Sequence, residues 1–212
     1  MDGRSVRSGA QNLFADISMA QDKEKKRQII RDAATKLFVQ KGFENTTTRD
    51  ISSAAGISKS APYYYFDSKE ELLFQILDET ITKGLNLIKE IEDSGISLKE
   101  KFNEIIGLYT KYYTTDMNRL RLLANEQKSL SPEHQKILNN KQKEYVKVFV
   151  RILDSLKEQV RIVDFNTTVT AFAFFGMVHW IYRWYDLNGP VKLPELSKIF
   201  HHIFTKGIYV DE

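Results

Sequence analysis

Residues 46–72 read TTTRDISSAAGISKSAPYYYFDSKEEL, and they hold two short helical patterns that meet at Gly56. The second pattern opens with small polar and basic residues and closes with three consecutive tyrosines. This order is typical of a helix-turn-helix whose second helix enters the major groove of DNA. The stretch therefore predicts that the chain reads DNA.

Capping signals mark the ends of these helices. Asp50 follows Thr47 by three residues, and Glu71 follows Ser68 by the same distance. In this capping-box spacing the two side chains satisfy free amides at a helix start. Gly56 can adopt the left-handed conformation that ends a helix.

The rest of the chain continues the helical pattern. The 212 residues are 42% hydrophobic and 28% charged, and no sustained alternating strand pattern appears. We predict an all-α fold of about nine helices, in which a three-helix DNA-binding domain precedes a larger helical ligand-binding and dimerisation domain. The predicted domains are a disordered tail at residues 1–22, the helix-turn-helix domain at 23–67 and the C-terminal domain at 68–212.

The predicted helices cover about residues 23–40, 47–56, 58–65 and 68–92, a fifth that includes 102–113, then 117–127, a seventh that includes 132–156, and finally 166–186 and 194–206. Met19 stands just before the first of them. Residues 1–18 are therefore either an extension or the product of an upstream start.

Composition bounds the compartment and the chemistry. The chain has no cysteine, which excludes disulfides and thiolate metal sites and fits a reducing compartment. No basic segment followed by an apolar run opens the sequence, so no signal peptide is evident. We expect a cytoplasmic protein that does not associate with membranes.

Positive charge is concentrated around the helix-turn-helix. Residues 23–69 contain ten Lys and Arg against five Asp and Glu, a net charge of +5, whereas residues 70–212 contain nineteen against twenty, a net charge of −1. Such a bias favours contact with phosphate, although a solvated helix face would show the same bias.

Nine residues are predicted to contact DNA, and each has a chemical reason. Small side chains at the start of the second helix let its backbone approach base edges, and Lys59 can reach guanine acceptors or phosphate. Tyrosine hydroxyls suit phosphate oxygens, and a helix start attracts phosphate through its free amides. Tyr64 is equally compatible with core packing. The predicted set is Thr47, Thr48, Arg49, Lys59, Ser60, Tyr63, Tyr64, Tyr65 and Lys69.

Residues 25–75 closely resemble the TetR family of bacterial regulators. Three motifs carry the resemblance: Thr-Thr-x-Arg-Asp-Ile from residue 46, Ala-Gly-Ile-Ser-Lys from residue 55 and Tyr-Tyr-x-Phe-x-Ser-Lys-Glu-Glu-Leu from residue 63. The resemblance implies phosphate contacts for Thr48, Tyr63, Tyr65 and Lys69. It implies positions near base edges for Arg49, Lys59 and Ser60.

Two residues depart from the family pattern. Tyr65 replaces a common histidine, and Pro62 replaces a large apolar residue. Proline is tolerated only in the first turn of a helix. If Lys59 caps the recognition helix, Pro62 lies within that turn; if Ser58 caps it, one backbone hydrogen bond is lost. We therefore expect this helix to begin a residue late, which changes which of its residues reach the bases.

The eighth predicted helix is apolar all round. Between Val169 and Tyr182 only Thr170, Gly176 and His179 are not apolar, and this run is too short for the roughly 20 residues of a membrane span. Burial against both the domain core and a second subunit explains it better. We predict a homodimer that pairs the eighth and ninth helices into a four-helix interface, as the resemblance also implies, and that matches a palindromic operator.

Aromatic residues of the C-terminal half are candidates for an apolar ligand pocket, with core packing as the alternative. The candidate residues are Tyr109, Tyr112, Tyr113, Phe149, Phe172, Phe175, His179, Trp180 and Arg183. Residues 174–185 resemble C-terminal domains of family members that respond to fatty-acyl or other CoA thioesters. Arg119, Arg121 and Arg183 are candidates to pair with an anionic head group, with surface salt bridges as the alternative.

These patterns predict a transcriptional repressor that a small apolar or acyl-CoA-like effector releases from its operator. We expect no cofactor and no metal ion. One alternative is a constitutive dimeric repressor without a ligand. A remote alternative is a thioester-active enzyme, because His179 lies near Tyr182 and Asp186, but no nucleophile motif or phosphate loop accompanies them. We therefore predict that the chain is not an enzyme.

Overall fold

The computed structural model of the chain describes the backbone of residues 4–159 and 164–206, and the side chains of residues 18–112, 114–159 and 164–206. Two compact units divide at residue 73, six residues beyond the boundary expected from the sequence. The helices are α1 (Arg4–Lys41), α2 (Thr48–Ala55), α3 (Ala61–Tyr65), α4 (Lys69–Asp93), α5 (Leu98–Thr115), α6 (Met117–Glu126), α7 (Pro132–Gln159), α8 (Thr167–His179), α9 (Ile181–Trp184) and α10 (Leu193–Lys206).

The all-α fold is confirmed for the described residues, which contain no strand. If α8 and the four-residue α9 are counted as one interrupted helix, the described residues hold the nine predicted helices. A single 3-10 turn at Gln127–Ser129 follows α6. Within the described part of the chain no helix is long and apolar enough to cross a membrane.

The first unit is built on α1, α2, α3 and the start of α4. Its core includes Ile30, Phe38 and Ile51, none of which is more than 1% exposed. Residues 18–26 are exposed throughout, so burial of α1 begins only after residue 26. The first unit therefore depends on the second half of α1.

The predicted disordered tail at residues 1–22 differs from the structure, in which α1 begins at Arg4. The stretch from Arg4 to Lys41 contains Gly9 and no proline. Because only proline interrupts a helix strongly, the helix extends upstream of the residues that pack against the core.

The capping box at Thr47 and the helix end at Gly56 are confirmed, and one of the two bonds of the box predicted at Ser68 and Glu71 is observed. Thr47 and Asp50 form the reciprocal capping box at the start of α2. Gly56 ends α2 with φ 68° and ψ 32°, in the left-handed region. The Glu71 amide donates to Ser68 Oγ at 2.9 Å at the start of α4.

The recognition helix α3 starts later than residue 58, where the sequence predicts it. Ser60 takes the N-cap position without a capping hydrogen bond from its side chain, and α3 has five residues. Pro62 thus takes the second helical position, where its missing N–H costs no hydrogen bond. Neither Ser58 nor Lys59 holds the N-cap position, and a start after Ser58 would have lost one backbone hydrogen bond to the proline.

The second unit contains the remainder of α4 and α5–α10. In it α5 packs against α7, α8 and α10, and α7 packs against α8. Tyr109, Phe149 and Phe174 are fully buried at its centre, and the ring centroids of Phe149 and Phe174 lie 4.8 Å apart.

The eighth predicted helix is wrong as a continuous element, because it breaks at Trp180 between α8 and α9. At the break the Arg183 amide donates to the Trp180 carbonyl at 3.0 Å, three residues back, so the hydrogen bonds tighten to a 3-10 pattern. Residues 179–185 read HWIYRWY, and aromatic and β-branched residues have lower helix propensity than Leu or Ala.

Candidate DNA-binding surface and ligand cavity

A hydroxyl pair joins the two helices of the helix-turn-helix. Thr48 Oγ1 and Tyr63 Oη lie 2.9 Å apart, one on α2 and the other on α3. Tyr63 is 59% exposed. Both hydroxyls therefore lie together at the surface, and because one of them donates to the other, the pair keeps one hydroxyl proton for a phosphate oxygen.

The other tyrosines differ in exposure. Tyr64 is 73% exposed, which removes the alternative that it is a core residue. Tyr65 is half-buried, and the centroid of its ring lies 5.1 Å from that of Tyr64 in an edge-to-face arrangement. Arg49, Lys59 and Ser60 are exposed, as base-reading residues must be.

Thr47 acts as a helix cap in this structure. Its hydroxyl donates to Asp50 Oδ2 at 2.8 Å, and its amide donates to the same oxygen at 3.0 Å. These bonds lower the pKa of Asp50. The Thr47 hydroxyl proton is therefore committed to Asp50.

Lys69 braces the loop before α2. Its ammonium group donates to the Phe43 carbonyl at 2.8 Å and lies 4.3 Å from the centroid of the Phe43 ring. The ammonium group has three N–H donors, so the hydrogen bond to Phe43 leaves others for a phosphate oxygen. The sequence shows Lys69 at a helix start, but only the fold shows that it also holds the loop before α2.

Basic residues of α1 that the sequence analysis did not select lie beside α3. Lys23 Nζ is 5.4 Å from the ring centroid of Tyr64, and Arg27 stacks at 5.0 Å over Phe66. The charge bias of residues 23–69 signals that basic residues are there. It does not identify which of them approach α3, because that depends on how α1 packs.

A cavity of about 410 Å³ lies in the second unit between α4, α5, α6, α7 and α8. This volume is within the range of roughly 300–1,000 Å³ that is typical of small-molecule sites. Its wall is formed by Thr80, Ile81, Gly84, Tyr112, Leu120, Leu123, Gln142, Tyr145, Val146, Phe172, Phe175, Gly176 and His179.

Four of the nine predicted pocket residues line this cavity, namely Tyr112, Phe172, Phe175 and His179. Tyr109 and Phe149 are instead fully buried core residues. Trp180 is 56% exposed and Arg183 is exposed, with its guanidinium carbon 5.8 Å from the Trp180 ring centroid. The side chain of Tyr113 lies outside the described part of the chain.

The missed wall residues come mostly from α4, α6 and α7. They include small and aliphatic residues such as Gly84 and Leu123, which carry no pattern that separates a cavity wall from a core. At Gly84 a β-carbon would meet Tyr145 at 3.3 Å and Tyr112 at 3.6 Å. Glycine at this position therefore lets two tyrosine rings approach α4.

The candidate arginines are engaged elsewhere. Arg119 pairs with Glu79 at 3.1 Å and with Asp116 at 3.2 Å. Arg121 donates from Nε to the Tyr182 carbonyl at 3.3 Å. Neither these arginines nor Arg183 is among the cavity wall residues. The described residues also contain no cluster of three His, Asp or Glu side chains that could hold a metal ion.

An exposed apolar surface covers parts of α8, α9 and α10. We call it the apolar face, and it consists of Val169, Phe172, Trp180, Trp184, Ile199 and Ile203, each between 40% and 66% exposed. Clusters of large exposed apolar side chains on a globular protein mark interaction sites.

An exposed helix-turn-helix with basic residues beside it, on an all-helical chain with a separate cavity-bearing unit, defines a DNA-binding regulator. Comparison with known families agrees. The family model for bacterial regulatory proteins of the tetR family matches residues 30–76. The model for the tetracyclin repressor-like C-terminal domain matches residues 95–208, more than half of the chain. The chain belongs to the TetR family of transcriptional regulators.

Individual relatives show the same likeness. The HTH-type transcriptional repressor KstR2 of Rhodococcus jostii is 26% identical over 88% of this chain and 92% of its own length. A TetR-family regulator from Bordetella parapertussis superposes with a TM-score of 0.76 at 28% identity, over 85% of this chain and 94% of its own. AibR, solved in complex with isovaleryl coenzyme A and operator DNA, has a TM-score of 0.73 at 23% identity, over 84% and 97% of the two chains. Proteins of this family are regulators and not enzymes.

Proposed function

We propose that the chain is a ligand-responsive repressor. It binds a palindromic operator as a homodimer and leaves the operator when a small molecule occupies the cavity. A DNA-bound regulator of a bacterium works where the chromosome is, so the expected cytoplasmic location is part of this proposal.

The cavity is the observation that carries the proposal. A constitutive repressor has no need of an apolar pocket, and helices that only pack against one another fill such space to crystal-like density. Here about 410 Å³ stays open among five helices. This favours ligand control over the constitutive alternative.

The apolar face supports the dimer. Its side chains are apolar and more than a third exposed in the single chain, and burying such area against an identical face is favourable by about 25 cal/mol per Å². A two-fold pair would also supply two recognition helices, as a palindromic site requires. The proposed occupant is a second copy of the chain.

The effector would act through differential affinity. A ligand shifts the DNA-binding equilibrium only if it binds the DNA-free state more tightly. α4 contributes Thr80, Ile81 and Gly84 to the cavity wall, and the same helix begins at Lys69 in the unit that carries α3. We propose that movement of α4 changes the spacing of the two recognition helices.

The DNA contacts can be tested with matched lysines. We expect Lys59→Ala to weaken binding to an operator selected from random DNA by several-fold or more, because a base contact is worth about 1–3 kcal/mol. Lys147→Ala, which alters an exposed lysine of α7, is the control. Gel-shift titration measures both variants. Equal affinity of the two variants would remove Lys59 from the DNA contacts.

The effector is tested on the same complex. Isovaleryl-CoA, longer acyl-CoAs and uncharged apolar compounds are titrated against the bound operator. Release by any of them supports ligand control, and the AibR complex motivates the CoA thioesters. Unchanged operator affinity across both groups would favour a constitutive repressor.

A further inference from the structure

The wall of the cavity carries no charged side chain among its described residues. Two cations lie near the wall without being part of it: Arg119 is held by Glu79 and Asp116, and Lys83 is exposed, with its Nζ 6.0 Å from the ring centroid of Tyr112. A carboxylate or phosphate placed among these side chains would therefore lose part of its hydration without gaining a counter-charge from the wall, which is unfavourable.

Most polar groups of the wall are already hydrogen-bonded within the protein. The Thr80 hydroxyl donates to the Ile76 carbonyl at 2.7 Å, and Tyr112 donates to the Thr80 carbonyl at 2.6 Å. Gln142 donates to the Gln127 side chain at 3.1 Å. The Tyr145 hydroxyl oxygen has no hydrogen-bond partner, but it is shielded from water, so solvent-sized groups in the cavity do not reach it.

His179 adds no positive charge at neutral pH. His179 is exposed on one side, so partial desolvation lowers its pKa, and even an unperturbed imidazole is mostly neutral at pH 7. Its ring packs against Phe175 with centroids 5.4 Å apart, and Phe175 packs against Tyr145 at 5.0 Å. These rings form one continuous, uncharged side of the cavity.

We propose that the cavity selects an uncharged, largely apolar ligand and rejects an anion of the same shape. This inference rests on the proposed role of the cavity as the effector site. It also narrows the hypothesis that the effector is an acyl-CoA. The cavity would accept an apolar acyl group but would not hold the phosphates of the coenzyme.

Two fluorescent probes test the proposal on the full chain. N-phenyl-1-naphthylamine is neutral, and 8-anilino-1-naphthalenesulfonate has the same ring skeleton with an added sulfonate. We expect saturable binding of the neutral probe and at least tenfold weaker binding of the anionic probe at the same site.

Glycine variants show whether the probes occupy the cavity. A β-carbon at Gly176, on the wall, or at Gly107, outside it, would meet nothing within 4 Å. Gly176→Leu should reduce binding of the neutral probe at least tenfold, whereas Gly107→Leu should leave it unchanged. Circular dichroism checks folding, and Leu123→Trp fills the same cavity from α6 if Gly176→Leu does not fold.

Three results would overturn the proposal. The first is that both probes bind with equal affinity and are weakened equally by the cavity-filling variants. The second is that neither cavity-filling variant weakens binding of the neutral probe. The third is that the neutral probe shows no saturable binding. Operator binding is measured separately by gel shift. A chain that prefers the neutral probe but binds no operator would therefore overturn the proposed function and leave the ligand selectivity standing.

Discussion

Tyr112 and Tyr145 flank Gly84 at the cavity wall, yet their hydroxyls are in different situations. Tyr112 donates to the Thr80 carbonyl, and burial raises its pKa to about 12. The Tyr145 hydroxyl is buried without a hydrogen-bond partner, and burial raises its pKa well above the usual value. Neighbouring residues of one type therefore differ in what they contribute to stability.

This difference predicts opposite effects of removing each hydroxyl. Tyr112→Phe should lower the free energy of unfolding by about 1 kcal/mol, because a hydrogen bond is lost and the Thr80 carbonyl stays buried. Tyr145→Phe should leave it unchanged or raise it by up to about 1 kcal/mol, since a desolvated, unpaired hydroxyl is removed. Urea denaturation at fixed protein concentration measures both. Equal losses would mean that the Tyr145 hydroxyl has a partner in solution.

At the scale of the element, the helix-turn-helix depends on how its short helices end. Neither α2, with eight residues, nor α3, with five, would be stable alone. The Thr47–Asp50 box starts α2, and the Gly56 amide closes it by donating to the Ser53 carbonyl at 3.2 Å. Pro62 then sets where α3 can begin. Caps and turns thus position the residues proposed to contact DNA.

Gly56 gives the sharpest prediction at this scale. Its φ of 68° lies in the left-handed region, where a β-carbon is strained even though a side chain at Gly56 would meet nothing within 4 Å. We expect Gly56→Ala to lower the free energy of unfolding by about 1–2 kcal/mol and to weaken operator binding. Gly95→Ala, which also has open space but no such backbone angle, is the control. If both variants unfold alike in urea, the left-handed turn is not maintained in solution.

At the scale of the whole molecule, the apolar face is the feature that the single chain leaves unburied. Its members come from residues 169–184 and 199–203, which are separated along the chain. The two tryptophans of the chain, Trp180 and Trp184, are 56% and 52% exposed on this face. They are natural reporters of whether a second copy covers it.

We therefore predict that dimer formation shifts tryptophan emission to shorter wavelength. Ile203→Glu should give monomers with red-shifted emission, because a buried, unpaired carboxylate is strongly unfavourable at the interface. Ile96→Glu, at an exposed isoleucine outside the face, should stay dimeric. Sedimentation equilibrium gives the mass beside each spectrum. A monomeric parent chain, or a dimeric Ile203→Glu variant with unchanged emission, would contradict the proposed interface.

Local signals carried most of what could be predicted. These signals are helix periodicity, the Thr47–Asp50 box and the Gly56 turn. Each acts between residues a few positions apart, so each can be recognised in the sequence. The late start of α3 could be predicted only in part, since Pro62 indicates that the helix begins late but not that it begins at Ala61. Aromatic side chains alone did not separate Tyr109, a core residue, from Tyr112, a wall residue.

The sequence by itself determined the helical class, the helix-turn-helix and the family, because these depend on short-range spacing and on residue types at fixed positions. Only the tertiary structure decided that Lys69 braces Phe43, that Arg119 is committed to acidic neighbours and that the cavity wall is uncharged. It also decided that α8 breaks at Trp180. These features depend on tertiary contacts between side chains that are distant in sequence, and no spacing along the chain specifies those contacts.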